Sequence, residues 1–149
     1  MKAKLISESL YKFEKKSNPL TSLGIGKEIV IKKWLNNKAI YYYVLNDDLS
    51  IDTPEGIYLN YIDIVKFPDY IKFNHVFGSF NCNNCDLVSL KGCPDIVEDN
   101  FNRSQNYLTS LEGCPKKVKG NFYMKGNNGV KFTEEDIRKV CNVSYAVVV

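Results

Sequence analysis

Thiols, a histidine and paired carboxylates are the groups with which a chain of this kind could do chemistry. The tightest cluster is Cys82-Asn-Asn-Cys85, followed by Cys93 and Cys114 and preceded by the single histidine, His75. A C-x-x-C pair with further Cys and His in reach is the donor set of a tetrahedral zinc site. These cysteines also fall on a repeated pattern, set out below, and copies of the pattern without cysteine keep the same form. Cys82 takes an inward strand position, Cys85 a turn position, and Cys93 stacks on Cys114, places on different sides of a coil. Buried free cysteine then serves as a small hydrophobe, and no metal is expected. Five cysteines is an odd number, which argues against a complete disulfide framework. Cys93 and Cys114 could come close enough to oxidise, and a reducing compartment would oppose it.

Other chemistry has equally plain alternatives. His75, expected in a solvated loop, leaves no convincing base for a Cys or Ser nucleophile. Asp47/Asp48 and Glu134/Glu135 sit in turn and helix-start contexts that account for them without catalysis. Gly24-Ile-Gly26-Lys27 ahead of a helix suggests a phosphate cradle. It lacks both the G-x-x-x-x-G-K-[ST] spacing and a following Ser or Thr, so it is read as a turn and helix start. The expectation is a chain that is not an enzyme, with no catalytic residue and no cofactor.

The elements behind these residues come from an internal duplication. Residues 80–100 laid over residues 101–121 agree at ten of twenty-one positions, among them Phe80/Phe101, Leu87/Leu108, Gly92-Cys93-Pro94/Gly113-Cys114-Pro115 and Asn100/Asn121. A third copy opens at Phe122 and keeps Asn127 and Phe132 in register. Ile57, Ile64 and Phe67 repeat the offsets of Phe80, Leu87 and Leu90 in an earlier one. A fixed period in the twenties means stacked coils, each burying its neighbour's apolar face. Within a coil a short strand alternates its side chains, so Phe101 and residue 103 point inward and Asn102 and Ser104 outward. An Asn at the following turn, Asn106 or Asn127, bonds backbone groups of neighbouring coils with its buried amide. Gly-Cys-Pro then makes the return bend.

The fold expected is α+β: a short leucine-rich-repeat-like β-solenoid of about four coils, with a cap at each end because an open solenoid end exposes its core. Residues 1–55 form the N-terminal cap, with a helix over Lys27–Asn37 carrying Ile29, Val30, Trp34 and Ile40 on its apolar side. Two strands, Ile40–Leu45 and Leu49–Ile51, follow around the turn Asn46-Asp47-Asp48. The repeats occupy 56–132, divided as 57–79, 80–100, 101–121 and 122–132, with extended or irregular convex sides in place of helices. Residues 133–149 close the other end, with Thr133 capping a helix over Glu134–Val140 and Ser144–Val149 forming a last strand. The whole is one structural domain.

Composition narrows the function classes. Apolar residues at 44% and charged residues at 25% are those of an ordinary globular protein, which excludes a disordered tail or a collagen-like fibre. No apolar run approaches the roughly 20 residues of a membrane span, and the polar start is unlike a signal peptide, so a cytoplasmic location is expected. A net charge of +3 excludes a nucleic-acid mimic. The single basic cluster, Lys116, Lys117, Lys119 and Lys125, is more simply a solvated edge than a phosphate site, so nucleic acid is not the expected partner.

The units resemble the leucine-rich-repeat core L-x-L-x-x-N/C-x-L, with departures at Arg103, Ile62 and Gly129. More specifically, Leu108-Thr-Ser-Leu-Glu-Gly-Cys-Pro115, with Ser9–Phe13 as S-L-x-x-F and Ser22–Gly26 as S-L-G-I-G, resembles a group of small solenoid proteins of tailed bacteriophages. The resemblance implies an accessory phage protein acting in the host cytoplasm, and no activity. What it leaves as a site is the outward strand face. Tyr58, Asn60, Tyr61, Asn81, Asn83, Asn102, Arg103, Gln105, Tyr123 and Lys125 form a ladder of Tyr and amides suited to protein binding. Another protein, a host or defence factor inhibited by occlusion, is the expected partner; single-stranded nucleic acid or a structural place in the virion are the alternatives. Arg103 either swings out to this face or is buried against an acid such as Asp86.

Overall fold

Each coil contributes two short strands where the repeat pattern had shown one. The computed structural model describes residues 22–149; the Ser9–Phe13 motif lies outside the described residues. After helix α1 (Ser22–Asn37), strand β1 (Val44–Leu45) pairs antiparallel with β2 (Ile51–Thr53) as the expected hairpin. Asp48 fixes its turn by accepting from the Ser50 amide at 3.0 Å and hydroxyl at 2.6 Å. From β2 onward every pairing is parallel. Strands β4 (Phe73–Val76), β6 (Ile96–Val97), β8 (Lys117–Val118) and β10 (Asn142–Val143) extend one sheet in the order β1-β2-β4-β6-β8-β10. Strands β3 (Ile57–Tyr58), β5 (Phe80–Asn81), β7 (Phe101–Asn102), β9 (Phe122–Tyr123) and β11 (Val147–Val148) form the second, β11-β9-β7-β5-β3. The architecture is a β-solenoid of about four turns with a helix at each end of the described chain.

Register explains the period. Ile57, Phe80, Phe101, Phe122 and Val147 stand opposite one another in the five-stranded sheet, and Thr53, Val76, Val97, Val118 and Val143 in the six-stranded one. Both columns face inward. Thr53 fits among valines because its hydroxyl donates to Glu55 O at 3.0 Å, so no buried polar group is left over. The phenylalanines continue as an aromatic chain. Trp34 meets Phe67 at 5.8 Å, Phe67 meets Phe73 at 6.1 Å, Phe73 meets Phe80 at 5.2 Å, and Phe101 meets Phe122 at 4.9 Å. Each buried ring contributes roughly 2–3 kcal/mol of transfer energy, which gives a coil of a dozen apolar atoms its cohesion.

The amide ladder is present as expected. Asn106 is fully buried; its Oδ1 accepts from Cys85 N at 3.1 Å and Leu87 N at 2.9 Å, and its Nδ2 donates to Cys82 O at 2.9 Å and Arg103 O at 3.0 Å. Asn127 repeats this one coil on, accepting from Leu108 N and donating to Met124 O and Arg103 O. Gly113 has a φ of 86°, and a Cβ there would fall 2.6 Å from the Leu90 carbonyl, which no other residue could accept. Gly129, a departure from the repeat, has the same cause: a Cβ would collide with Leu108 O.

The caps follow the expected plan with two corrections. Helix α1 begins at Ser22, so Gly24-Ile-Gly26 lies within a helix and not in a turn. Its buried side chains are Ile31 and Leu35, four apart on one face, with Trp34 half-buried beside them; Ile29 is 59% exposed and Val30 40%. Helix α2 (Glu134–Val140) starts at Thr133, whose hydroxyl accepts from Asp136 N at 3.2 Å while Asp136 accepts from Thr133 N at 2.9 Å. Arg138 then donates to Val143 O at 2.9 Å and Tyr145 O at 2.8 Å, tying α2 to the link between β10 and β11. The valine run at the end is paired, β11 lying on β9.

Candidate functional site

The outer face of the five-stranded sheet gathers most of the residues singled out in the sequence. Tyr58, Asn81, Asn102 and Tyr123 stand in register across β3, β5, β7 and β9, one column of outward side chains with a tyrosine at each end. Tyr58 is 64% exposed and Tyr61 78%. Asn60, Asn81, Asn83, Asn102 and Tyr123 are half-buried, and Gln105 and Lys125 are exposed. Part of the ladder serves its own backbone: Asn81 Oδ1 accepts from Asn83 N at 3.3 Å and Asn102 Oδ1 from Ser104 N at 3.0 Å. These are local side-chain turns of the kind Asn makes readily, and they leave the amide nitrogens facing out. Tyr61, Asn84 and Gln105 occupy equivalent turn positions at φ between 55° and 59°, where Gly126 stands in the next coil. A tyrosine in the left-handed region costs about 1 kcal/mol, and Tyr61 holds it while offering its ring to solvent.

Arg103 is the exception. It is fully buried, pairs with no acid, and Asp86 is exposed. Both expected placements, on the outer face and against Asp86, are therefore corrected. The side chain crosses the core from β7. Its Cζ lies 4.3 Å from the Phe80 ring centre, 4.8 Å from Phe101 and 5.9 Å from Phe67, and Nη2 donates to Cys93 Sγ at 3.1 Å. Nε and Nη1 have no partner among the described residues. Aromatic faces attract a cation, and the small Cys82 one coil back leaves the space a larger residue would fill. Burial pulls the guanidinium down, but the Cys82 and Cys93 thiols outweigh it and raise it.

The cysteines, placed by the sequence on different sides of the coil, are nearer than expected. The Cys82 thiol hydrogen-bonds to Cys85. That bond is the main cause that lowers Cys85 to about 6, with burial opposing and the Ile62 amide and Arg103 assisting. Cys85 Sγ also lies 2.7 Å from Leu59 O and 3.4 Å from Asn83 O, contacts that favour the protonated thiol and limit the depression. Burial, then the bond to Cys85, push Cys82 well up. Among the described residues no three metal-ligating side chains converge on one point.

The second sheet carries features that the sequence reading missed. His75 is no loop residue: it lies on β4, its Nε2 2.7 Å from Glu98 Oε1 and its ring stacked on Phe77 at 3.9 Å. Lys119 joins Glu98 at 2.5 Å, and Lys72 and Lys116 both hold Asp95, at 2.6 and 3.0 Å. Burial pushes the Asp95 and Glu98 carboxyls up, but these cations outweigh it and hold both below the ordinary range. The lysine cluster is divided accordingly. Lys116, Lys117 and Lys119 belong to β8 and its flanks, two of them neutralised, and Lys125 follows β9 on the other sheet. The valine spacing Val76/Val97/Val118 was the available signal for this sheet.

Fold and faces define a capped β-solenoid with one charged, internally neutralised sheet and one uncharged, aromatic one. Comparison with protein-family models, curated proteins and solved structures finds no match for the chain. No helix among the described residues is long and apolar enough to cross a membrane.

Proposed function

We propose that this chain is a non-enzymatic interaction module that binds another protein through the outer face of the five-stranded sheet. The observation that carries the reading is the contrast between the two sheets. Charges on the six-stranded sheet are engaged with one another, whereas Tyr58, Asn81, Asn102 and Tyr123 form a neutral column ending in exposed rings. Tyrosine supplies large contact area at low entropic cost, and amides supply adaptable hydrogen bonds. The strained, solvent-facing Tyr61 sits beside that column. Arg103 is not part of this face, because it is enclosed.

The likeness to small phage solenoids makes a host or defence factor the partner of choice, inhibited by occlusion. Single-stranded nucleic acid, the other reading that uses exposed tyrosines, needs a continuous cationic track beside them, and the lysines are split between sheets. Affinity capture from a bacterial lysate at physiological and then high salt separates the two. A stoichiometric protein that stays at high salt, and is lost from a Tyr58→Ala/Tyr61→Ala/Tyr123→Ala variant that still folds, is the expected result. Nucleic acid released as salt rises would support the second reading instead, and retention unchanged by the triple substitution would remove the strand face.

A further inference from the structure

Cys114 and Cys141 are 27 positions apart in the chain and belong to different parts of the fold. Cys114 sits in the Gly113-Cys114-Pro115 return bend of a repeat; Cys141 ends α2, its amide donating to Ile137 O at 2.9 Å. The sequence pattern stacks Cys114 on Cys93, and the two are indeed neighbours in the core. The closer partner is Cys141: the two thiols are hydrogen-bonded to each other. Both are free, Cys141 is 2% exposed, and Cys114 is the one cysteine of the five with a side open to solvent. Cys82, Cys85 and Cys93 are enclosed, and Cys93 is also held by Arg103.

We propose that Cys114 and Cys141 are a dithiol that a small disulfide oxidant such as oxidised glutathione converts into an intramolecular disulfide, stapling the C-terminal cap to the repeat beneath it. The deprotonated sulfur of Cys114, the accessible one, attacks a sulfur of oxidised glutathione, forming a mixed disulfide and expelling one glutathione thiolate. The deprotonated sulfur of Cys141 then attacks Cys114 Sγ, forming the protein disulfide and expelling the second. Two thiol protons are released, and the two electrons leave with the two molecules of reduced glutathione.

The surroundings favour this order. Cys114 donates its hydrogen bond to Cys141, which with the Val118 amide and the charge of Arg138 lowers the Cys141 thiol against the opposing effect of its burial. The resolving sulfur is thus held as a nucleophile against the sulfur it must attack. The same hydrogen bond, with burial, raises Cys114, so entry of the oxidant is the slow step. A bond between residues so far apart restricts the unfolded chain and leaves the native contact nearly as it is.

The test is to incubate the full-length reduced protein with oxidised glutathione, block remaining thiols, and map linkages by mass spectrometry. The expected product has lost two hydrogens, links the peptides of Cys114 and Cys141, and keeps three blockable cysteines. It melts about 10 °C higher than the reduced form, reversibly on adding a dithiol reductant. Cys141→Ser should stop at the glutathione adduct on Cys114 and gain no melting temperature. A wild-type protein that stops at that adduct, keeps five blockable thiols, or links Cys93 to Cys114 would overturn the proposal whatever the variant does.

Discussion

Replacing Asn106 by leucine removes the polar centre of a coil while keeping its volume nearly unchanged. The Oδ1 of Asn106 is the partner of two backbone amides, Cys85 N and Leu87 N, and the side chain is completely enclosed. Of the carbonyls it serves, Ser104 O keeps a second donor in Asn84 N at 3.2 Å. Each buried amide left unpaired costs about 1–3 kcal/mol. Two of them make the loss about 4 kcal/mol, a large part of the 5–15 kcal/mol that holds a typical domain together. Urea unfolding followed by circular dichroism should show a lower midpoint with an unchanged slope. Asn127→Leu is the internal comparison. Asn127 is half-buried and accepts from a single amide at 3.3 Å, so about 1–2 kcal/mol is expected there. If Asn106→Leu stays within 1 kcal/mol of the parent, or if Asn127→Leu costs more, the ladder does not hold the coils together as described.

Two further substitutions probe the charges. Glu98→Gln breaks the contacts to Lys119 and His75 and should cost about 1 kcal/mol at neutral pH. Glu98 is depressed in the folded state, so its contribution is complete above the ordinary glutamate value and lost as pH falls through the depressed one; the gap between variant and parent should close below about pH 4, and a gap that persists to pH 3 would contradict the pairing. Arg103→Met tests the buried guanidinium: with no carboxylate partner and two unpaired nitrogens, its replacement by an apolar chain of similar length should leave stability unchanged or raise it by about 1–4 kcal/mol. A loss above 2 kcal/mol would mean that the aromatic faces and Cys93 do more than offset the desolvation.

The residues with the strongest spacing signal are those that the structure places as read. Phe80, Phe101 and Phe122, the Asn106/Asn127 turns and the Gly-Cys-Pro bends recur at one period because stacked coils demand identical contacts at each level. What recurs less tightly was less legible. The second strand of each coil is two residues long and mixes apolar Val97 and Val118 with Ile96 and Lys117, so alternation alone does not mark it. His75 and Glu98 were missed for that reason, since their pairing depends on β4 lying beside β6. Helix α1 was misplaced because Ile29, Val30 and Ile31 are consecutive; only contact with Phe67 and Phe73, through Trp34, decides which face turns inward. Arg103 could be seen to point inward, but its aromatic and sulfur surroundings come from three different coils.

Hydrogen exchange on the complex with a captured protein tests the binding face most directly. Slowed exchange confined to residues 58–61, 81–84, 102–105 and 123–125, with the amides around His75, Glu98 and Lys119 unchanged, is the result this account predicts. Protection centred on the six-stranded sheet or on α1, with the Tyr58–Tyr123 column exchanging as in the free protein, would contradict it.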